Sequence, residues 1–162
     1  MSLAAPTVPD PGARYRHTQL GWFMLGLDIV LLLLLGIPAA GTGQPALWLG
    51  VAIVAVLAIF FSTLTVEVTG AAVRFWFGPG VLRRTVPLSA LAGVEVTSAP
   101  WWYGIGIRFT PTGLMYNVAT GRTVDLVLRS GKRVRVGSDE AEALAEAVRT
   151  AMAPLTPGTA AR

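Results

Sequence analysis

The sequence predicts a membrane-anchored α+β protein. An N-terminal two-helix transmembrane hairpin leads into an antiparallel β-barrel or sandwich of about seven strands, capped by a C-terminal α-helix. Three observations carry this. Two long apolar runs, residues 20–37 and 46–64, hold one charge between them, Asp28. Short stretches of alternating hydrophobicity then follow, separated by Gly and Pro, which is the pattern of half-buried strands. Beyond residue 138 the period changes again, with Leu144, Val148 and Met152 at helical spacing. The chain divides into an N-terminal tail (1–18), the hairpin (19–64), the sheet domain (65–153) and a C-terminal tail (154–162).

Composition agrees with a membrane anchor. Hydrophobic residues make up 53% of the 162 and charged residues only 14%, against about 25% charged in soluble domains. There is no Cys and one His, which excludes disulfides, thiolate metal sites and multi-histidine sites. No cofactor is expected. The net charge of +4 suits an anionic lipid surface or nucleic acid and does not by itself choose between them.

Each apolar run is close to the ~20 residues that cross a bilayer as a helix. The link between them, residues 38–45, contains two Pro and two Gly and predicts a tight reversal. It has no Lys or Arg, whereas basic residues flank the hairpin on both outer sides. Both termini are therefore expected in the cytoplasm of a two-span cell-membrane protein. Arg14, Tyr15, Arg16 and His17 suit the interface before the first span, and Trp48 the outer interface. Asp28 is the exception. A carboxylate inside the bilayer costs a few kcal/mol. It is read either as a protonated acid bonded to backbone or to another subunit, or as a transport residue.

From residue 64 the elements follow in order. Leu64, Val66 and Val68 alternate with Thr65, Glu67 and Thr69; Val73, Phe75 and Phe77 alternate with Arg74 and Trp76. Gly78-Pro79-Gly80 turns the chain into residues 81–86. Val94 and Val96, then Ile105, Ile107 and Phe109, mark two further strands on either side of a Trp101-Trp102-Tyr103 loop. Residues 114–118, 123–129 and 133–136 complete the series. For the last hairpin a three-residue loop, Ser130-Gly131-Lys132, is predicted to pair Leu128 with Val134 and Leu126 with Val136. Arg129 then opposes Arg133, with Arg135 beside them, giving a basic outer face relieved by solvent, by Asp125 or by an anionic partner. Ser138 or Asp139 is the expected N-cap of the final helix, and Pro154 ends it.

Strands followed by one capping helix, directly after paired membrane helices, resemble the bacterial pleckstrin-homology-like (PH-like) domain membrane proteins of the small two-helix type. The likeness lies in Pro100-Trp101-Trp102-Tyr103-Gly104-Ile105-Gly106-Ile107-Arg108, in residues 113–118 and 123–126, and in the Gly131-Lys132-Arg133 and Val136-Gly137-Ser138-Asp139 stretches. It implies a non-catalytic binding or scaffolding module under the membrane. In phosphoinositide-binding relatives the first hairpin loop is basic. Here that loop is Thr69-Gly70-Ala71-Ala72, with Arg74 as the only nearby charge.

No Ser-His-acid set, phosphate-cradling loop or metal spacing appears, so no enzyme is predicted. Arg108, Arg129, Lys132, Arg133 and Arg135, with Trp101, Trp102 and Tyr103, are the candidate contacts to a protein partner or membrane lipid. The expected partners are the lipid bilayer and another membrane protein or a second copy, with no nucleic acid. The alternative function is a subunit of a transport or channel assembly using Asp28.

Overall fold

The computed structural model describes residues 12–99, 106–110, 113–117 and 121–153. Among them, nine strands and three α-helices alternate in the order β1(Ala13–Leu20), α1(Trp22–Thr42), α2(Pro45–Phe61), β2(Thr63–Thr69), β3(Ala72–Phe77), β4(Val81–Pro87), β5(Leu91–Ala99), β6(Gly106–Thr110), β7(Gly113–Asn117), β8(Gly121–Leu128), β9(Arg133–Gly137) and α3(Ala141–Met152). A single 3₁₀ turn, Leu88–Ala90, joins β4 to β5. The strands form two open sheets, β1-β2-β3-β4 and β5-β8-β9-β7-β6. The count is nine rather than about seven, and the arrangement is a sandwich with free edges rather than a closed barrel.

The apolar runs are redistributed at their ends. Helix α1 continues through Pro38 to Thr42, because Ala39 and Ala40 are strong helix formers and Thr42 Oγ1 donates to the Pro38 carbonyl at 2.7 Å. The predicted link over 38–45 therefore shrinks to Gly43-Gln44, and Pro45 opens α2 at its first turn, where a missing N–H is harmless. The second run does not stay helical to residue 64. Ser62 ends α2 and the β-branched Thr63 starts β2. At 1.5 Å per residue the helices are roughly 31 and 25 Å long. Helix α1 alone has the length and composition to cross a bilayer, and α2 is a shorter apolar helix.

A strand precedes the helices: β1 takes residues 13–18 from the expected tail and residues 19 and 20 from the expected hairpin. β1 pairs antiparallel with β2, with Leu20 opposite Thr63 and His17 opposite Val66. Its inward positions are Tyr15, His17 and Gln19. Alternation is present, but the inward residues are polar, so no apolar signal marks it. The two ends of the helical hairpin consequently feed neighbouring strands of one sheet.

The core lies between the sheets. Leu64, Val66 and Val68 of β2 and Phe75 and Phe77 of β3 meet Val124, Leu126, Val134 and Val136. Tyr116 packs edge-on against Phe75, with ring centroids 4.8 Å apart. Helix α3 seals the assembly by inserting Ala141, Leu144, Ala145 and Val148 against β1, β2, β5 and β8. Its N-cap is Glu140 and carries no side-chain cap. Ser138 acts earlier, its Oγ accepting the Glu140 N–H at 3.2 Å.

Two points of the second sheet differ from expectation. β7 and β9 run parallel, whereas β6–β7 and β8–β9 are antiparallel. The β8–β9 register is also shifted by two residues. Leu126 faces Val134, Val124 faces Val136 and Asp125 faces Arg135. The loop is Arg129-Ser130-Gly131, closed by the Leu128 N–H to the Lys132 carbonyl and the Gly131 N–H to the Leu128 carbonyl, both 2.9 Å. Three-residue hairpin loops need a left-handed residue at their end. Gly131, at φ +80°, supplies it, whereas the predicted loop would have put Lys132 there. A two-residue slip preserves which side chains face the core, so the inward set is unchanged and only its partners move.

Candidate functional site

The outer face of the second sheet carries a closed ionic network. Asp125, at the centre of β8, is 0% exposed. Arg135 grips it with both arms, Nε to Oδ1 at 2.6 Å and the terminal nitrogen to Oδ2 at 2.7 Å. Thr97 Oγ1 donates to Oδ1 at 3.2 Å and lies 2.9 Å from Thr123 Oγ1. Arg133 reaches Glu95 at 2.6 Å and lies 3.6 Å from Asp125. Its hydrogen bond to Glu95, followed by that carboxylate's charge, holds the guanidinium protonated to a still higher pH than usual.

Of the arginines expected on a basic outer face, Arg133 and Arg135 are thus engaged by acids. Cross-strand pairing puts Glu95 opposite Asp125 and Asp125 opposite Arg135. Strand pairing sets the two like-charged carboxylates side by side, where Arg133 reaches both and Arg135 holds Asp125. Arg108 occupies β6 opposite Met115, and Met115 lies opposite Arg135. Trp101, Trp102 and Tyr103 fall outside the described residues.

Arg129 and Lys132 sit elsewhere. The Arg129 N–H bonds the Ala90 carbonyl and its Nε bonds the Ser89 carbonyl, at 2.9 and 3.0 Å. That 3₁₀ turn lies at the end of β4 where Pro87 faces Ala72. The other end of β4, where Val81 faces Phe77, adjoins the helical hairpin. The β8–β9 turn is therefore roughly 20 Å from the hairpin, one strand length away.

The base of the hairpin is tightly built. Asp28 is buried, and Ser62 Oγ donates to its Oδ2 at 3.2 Å. The partner is thus the C-terminal cap of α2. The carboxylate lies about 9 Å along α1 from Trp22, at the sheet end of the helices. Gly78, at φ +48°, lies against the end of α2. A Cβ there would meet the Ile59 and Phe60 carbonyl oxygens at 2.6 and 2.8 Å. Its N–H donates to the Thr63 carbonyl at 3.0 Å.

Two arrangements escaped the sequence reading. On the outer face of the first sheet, Trp76 of β3 retains only 6% exposure. The Arg83 guanidinium carbon lies 4.7 Å from its ring centroid and that of Arg16 5.7 Å. The three residues come from three strands, with Arg16 60 positions before Trp76 and Arg83 7 after it, so no local pattern joins all three. Beside them Glu67, buried on β2, pairs with Arg74 at 3.4 Å. The second is a latch from β1 to the start of α3. His17 Nε2 lies 2.7 Å from Asp139 Oδ1 and Tyr15 donates to Glu140 at 3.2 Å. The Asp139 N–H donates to Gln19 Oε1 at 2.9 Å. Burial, and then the Glu140 charge, push the Tyr15 phenol above its ordinary pKa. His17, expected at a membrane interface, is here a bond between elements.

Among the described residues no group of three or more His, Cys, Asp or Glu is placed to hold a metal ion. The polar chemistry of the described residues is charge pairing within the chain and cation–π stacking at Trp76. Comparison with known protein families finds no match to this chain, and comparison with curated proteins finds none either.

Proposed function

We propose that the chain is a membrane-anchored, non-catalytic binding module whose helical hairpin holds a PH-like sandwich against the inner face of the cell membrane. The observation that carries this is the bare hairpin. Asp28 and Ala39 are the buried residues of α1, and no residue of α2 is buried. Phe23, Ile29, Leu34 and Ile37 on α1, and Leu49, Ile53 and Ile59 on α2, are all exposed. A helix of a soluble core would be covered by its own protein. Exposed apolar surface of this extent marks a membrane or protein contact.

Three features support retention of the hairpin and its orientation. β1 lies before α1 and pairs with β2 beyond α2, so cleavage after α1 would strip an edge strand from the sheet. That pairing keeps both hairpin ends on one side. The hairpin tip has no Lys or Arg while the sheet domain is basic, which favours the domain on the cytoplasmic side. The shorter α2 fits a second span at the lower end of the usual length range. The Asp28–Ser62 bond favours a joint at the hairpin base over a transport role for Asp28.

The absence of Cys makes the topology directly measurable. Gly41→Cys at the tip and Lys132→Cys in the domain are labelled with a membrane-impermeant maleimide in intact cells. The tip is expected to react and the domain only after lysis, with the protein resisting alkaline carbonate extraction. Recovery of the chain in the soluble fraction, or equal labelling of both positions from outside, overturns the reading.

A further inference from the structure

We propose that the outer face of the first sheet, at Arg16, Trp76 and Arg83, binds the anionic headgroups of the leaflet from which the hairpin enters the membrane. This rests on the anchoring reading and names the ligand and its site.

Position comes first. Trp76 lies opposite Thr65, and Thr65 opposite Thr18. That row is two residues, or roughly 7 Å, from the point where β1 and β2 meet the helices. Arg83 is two residues beyond Val81, at the end of β4 held against α2 by Gly78. The site is at the opposite end of β2 and β3 from the Thr69–Ala72 loop. A domain tied to the hairpin at this end brings the face to the bilayer surface and takes Arg129 and Lys132 away from it.

Charge comes second. Arg16 and Arg83 are exposed, and both guanidinium groups are drawn together over one indole. Stacking on an aromatic face leaves the N–H edges of a guanidinium available for phosphate oxygens. Glu67, the carboxylate described on this face, is buried, lies opposite both Arg16 and Arg74 in the ladders, and pairs with Arg74 at 3.4 Å, so one acid faces three arginines. The face therefore presents positive charge where an anionic leaflet presents negative charge. An exposed Leu82 precedes Arg83 in β4, as apolar material suited to the interface.

The test uses the full chain, equilibrated in detergent micelles holding equal phosphatidylcholine and phosphatidylglycerol. The phospholipids retained after purification are quantified. Wild-type protein is expected to be enriched in phosphatidylglycerol, and the enrichment to fall as salt is raised, since surface attraction is screened within a Debye length. Each arginine removed, Arg16→Gln or Arg83→Gln, is expected to lower the enrichment about five-fold. The Arg16→Lys/Arg83→Lys variant keeps the charge and is expected to keep the enrichment, which separates charge from a loss of folding. Arg129→Gln/Lys132→Gln is expected to leave it unchanged.

Lipid retention in the bulk ratio by the wild type, or full enrichment in the Arg16→Gln/Arg83→Gln variant, overturns the proposal. So does an equal fall on neutralising Arg129 and Lys132. A wild-type chain that washes from membranes in carbonate refutes the anchor instead, and the micelle measurement reads the surface independently of that result.

Discussion

Replacing Asp125 by Asn leaves its shape but removes the charge that Arg135 encloses. Two effects compete. Asp125 faces Glu95 across the β5–β8 ladder, and loss of one carboxylate relieves a like-charge pair whose cost is about 0.2–1 kcal/mol. Against this, Arg135 retains only 17% side-chain exposure; it loses its counter-charge and one of its two short bonds, the Asn amide NH2 now facing a guanidinium N–H. Breaking a buried pair by removing one partner costs about 3–5 kcal/mol. The residual exposure of Arg135 places this case at the lower end, so a net loss of about 3 kcal/mol is expected. In a chain of this size that lowers the melting temperature by roughly 6–12 °C. The measurement is thermal unfolding of the full chain in detergent, followed by near-ultraviolet circular dichroism. The Asp125→Leu/Arg135→Met variant, which removes both charges, is expected to lie within about 1 kcal/mol of wild type. The reasoning is refuted if Asp125→Asn changes stability by less than about 0.5 kcal/mol, the range of unremarkable surface substitutions. It is equally refuted if the double variant is as unstable as the single one.

Further outcomes follow from other parts of the fold. Gly131→Val forces a β-branched residue to φ +80° and is expected to cost about 1–2 kcal/mol, seen as a lower denaturation midpoint; a neutral result would mean that the loop reshapes freely. Leu144→Ala removes the centre of the apolar stripe of α3 and is expected to cost about 2–5 kcal/mol in the same assay. Gly78→Ala is expected to push the β3–β4 turn off the Ile59 and Phe60 carbonyls, raising proteolysis at that turn while leaving membrane extraction unchanged. Burial, then Glu140, raises the Tyr15 pKa, so the neutral phenol is favoured in the folded state. Its contribution is complete below the ordinary value of about 10 and is lost as pH climbs through the higher folded value. The tyrosinate absorbance that disappears in Tyr15→Phe is thus expected to develop at higher pH in folded than in urea-unfolded protein, and Glu140→Gln is expected to narrow the gap. Identical titration in the two states would contradict the arrangement.

Much of the architecture is written in local pattern. The apolar runs specify helices, alternation specifies β2 and β3, and the leucine and valine spacing specifies α3, because each signal repeats within a few residues and depends on burial of one face. The inward set of the last hairpin was legible for the same reason. Its partners were not, since a slip of two residues keeps every side chain on its face. The choice between registers fell to Gly131, whose backbone freedom ends the loop one residue earlier. β1 was hidden because Tyr15, His17 and Gln19 face inward toward polar partners just ahead of α3, Asp139 and Glu140, that are more than 100 residues away. The Arg16–Trp76–Arg83 stack and the Asp125 network likewise exist only once separate strands are aligned. The order of residues along the chain was enough to show two apolar helical runs followed by a basic sheet domain. Where the basic residues lie relative to that hairpin, and which of them are already neutralised by acids, was decided by strand pairing, because pairing sets distances that no spacing along the chain encodes.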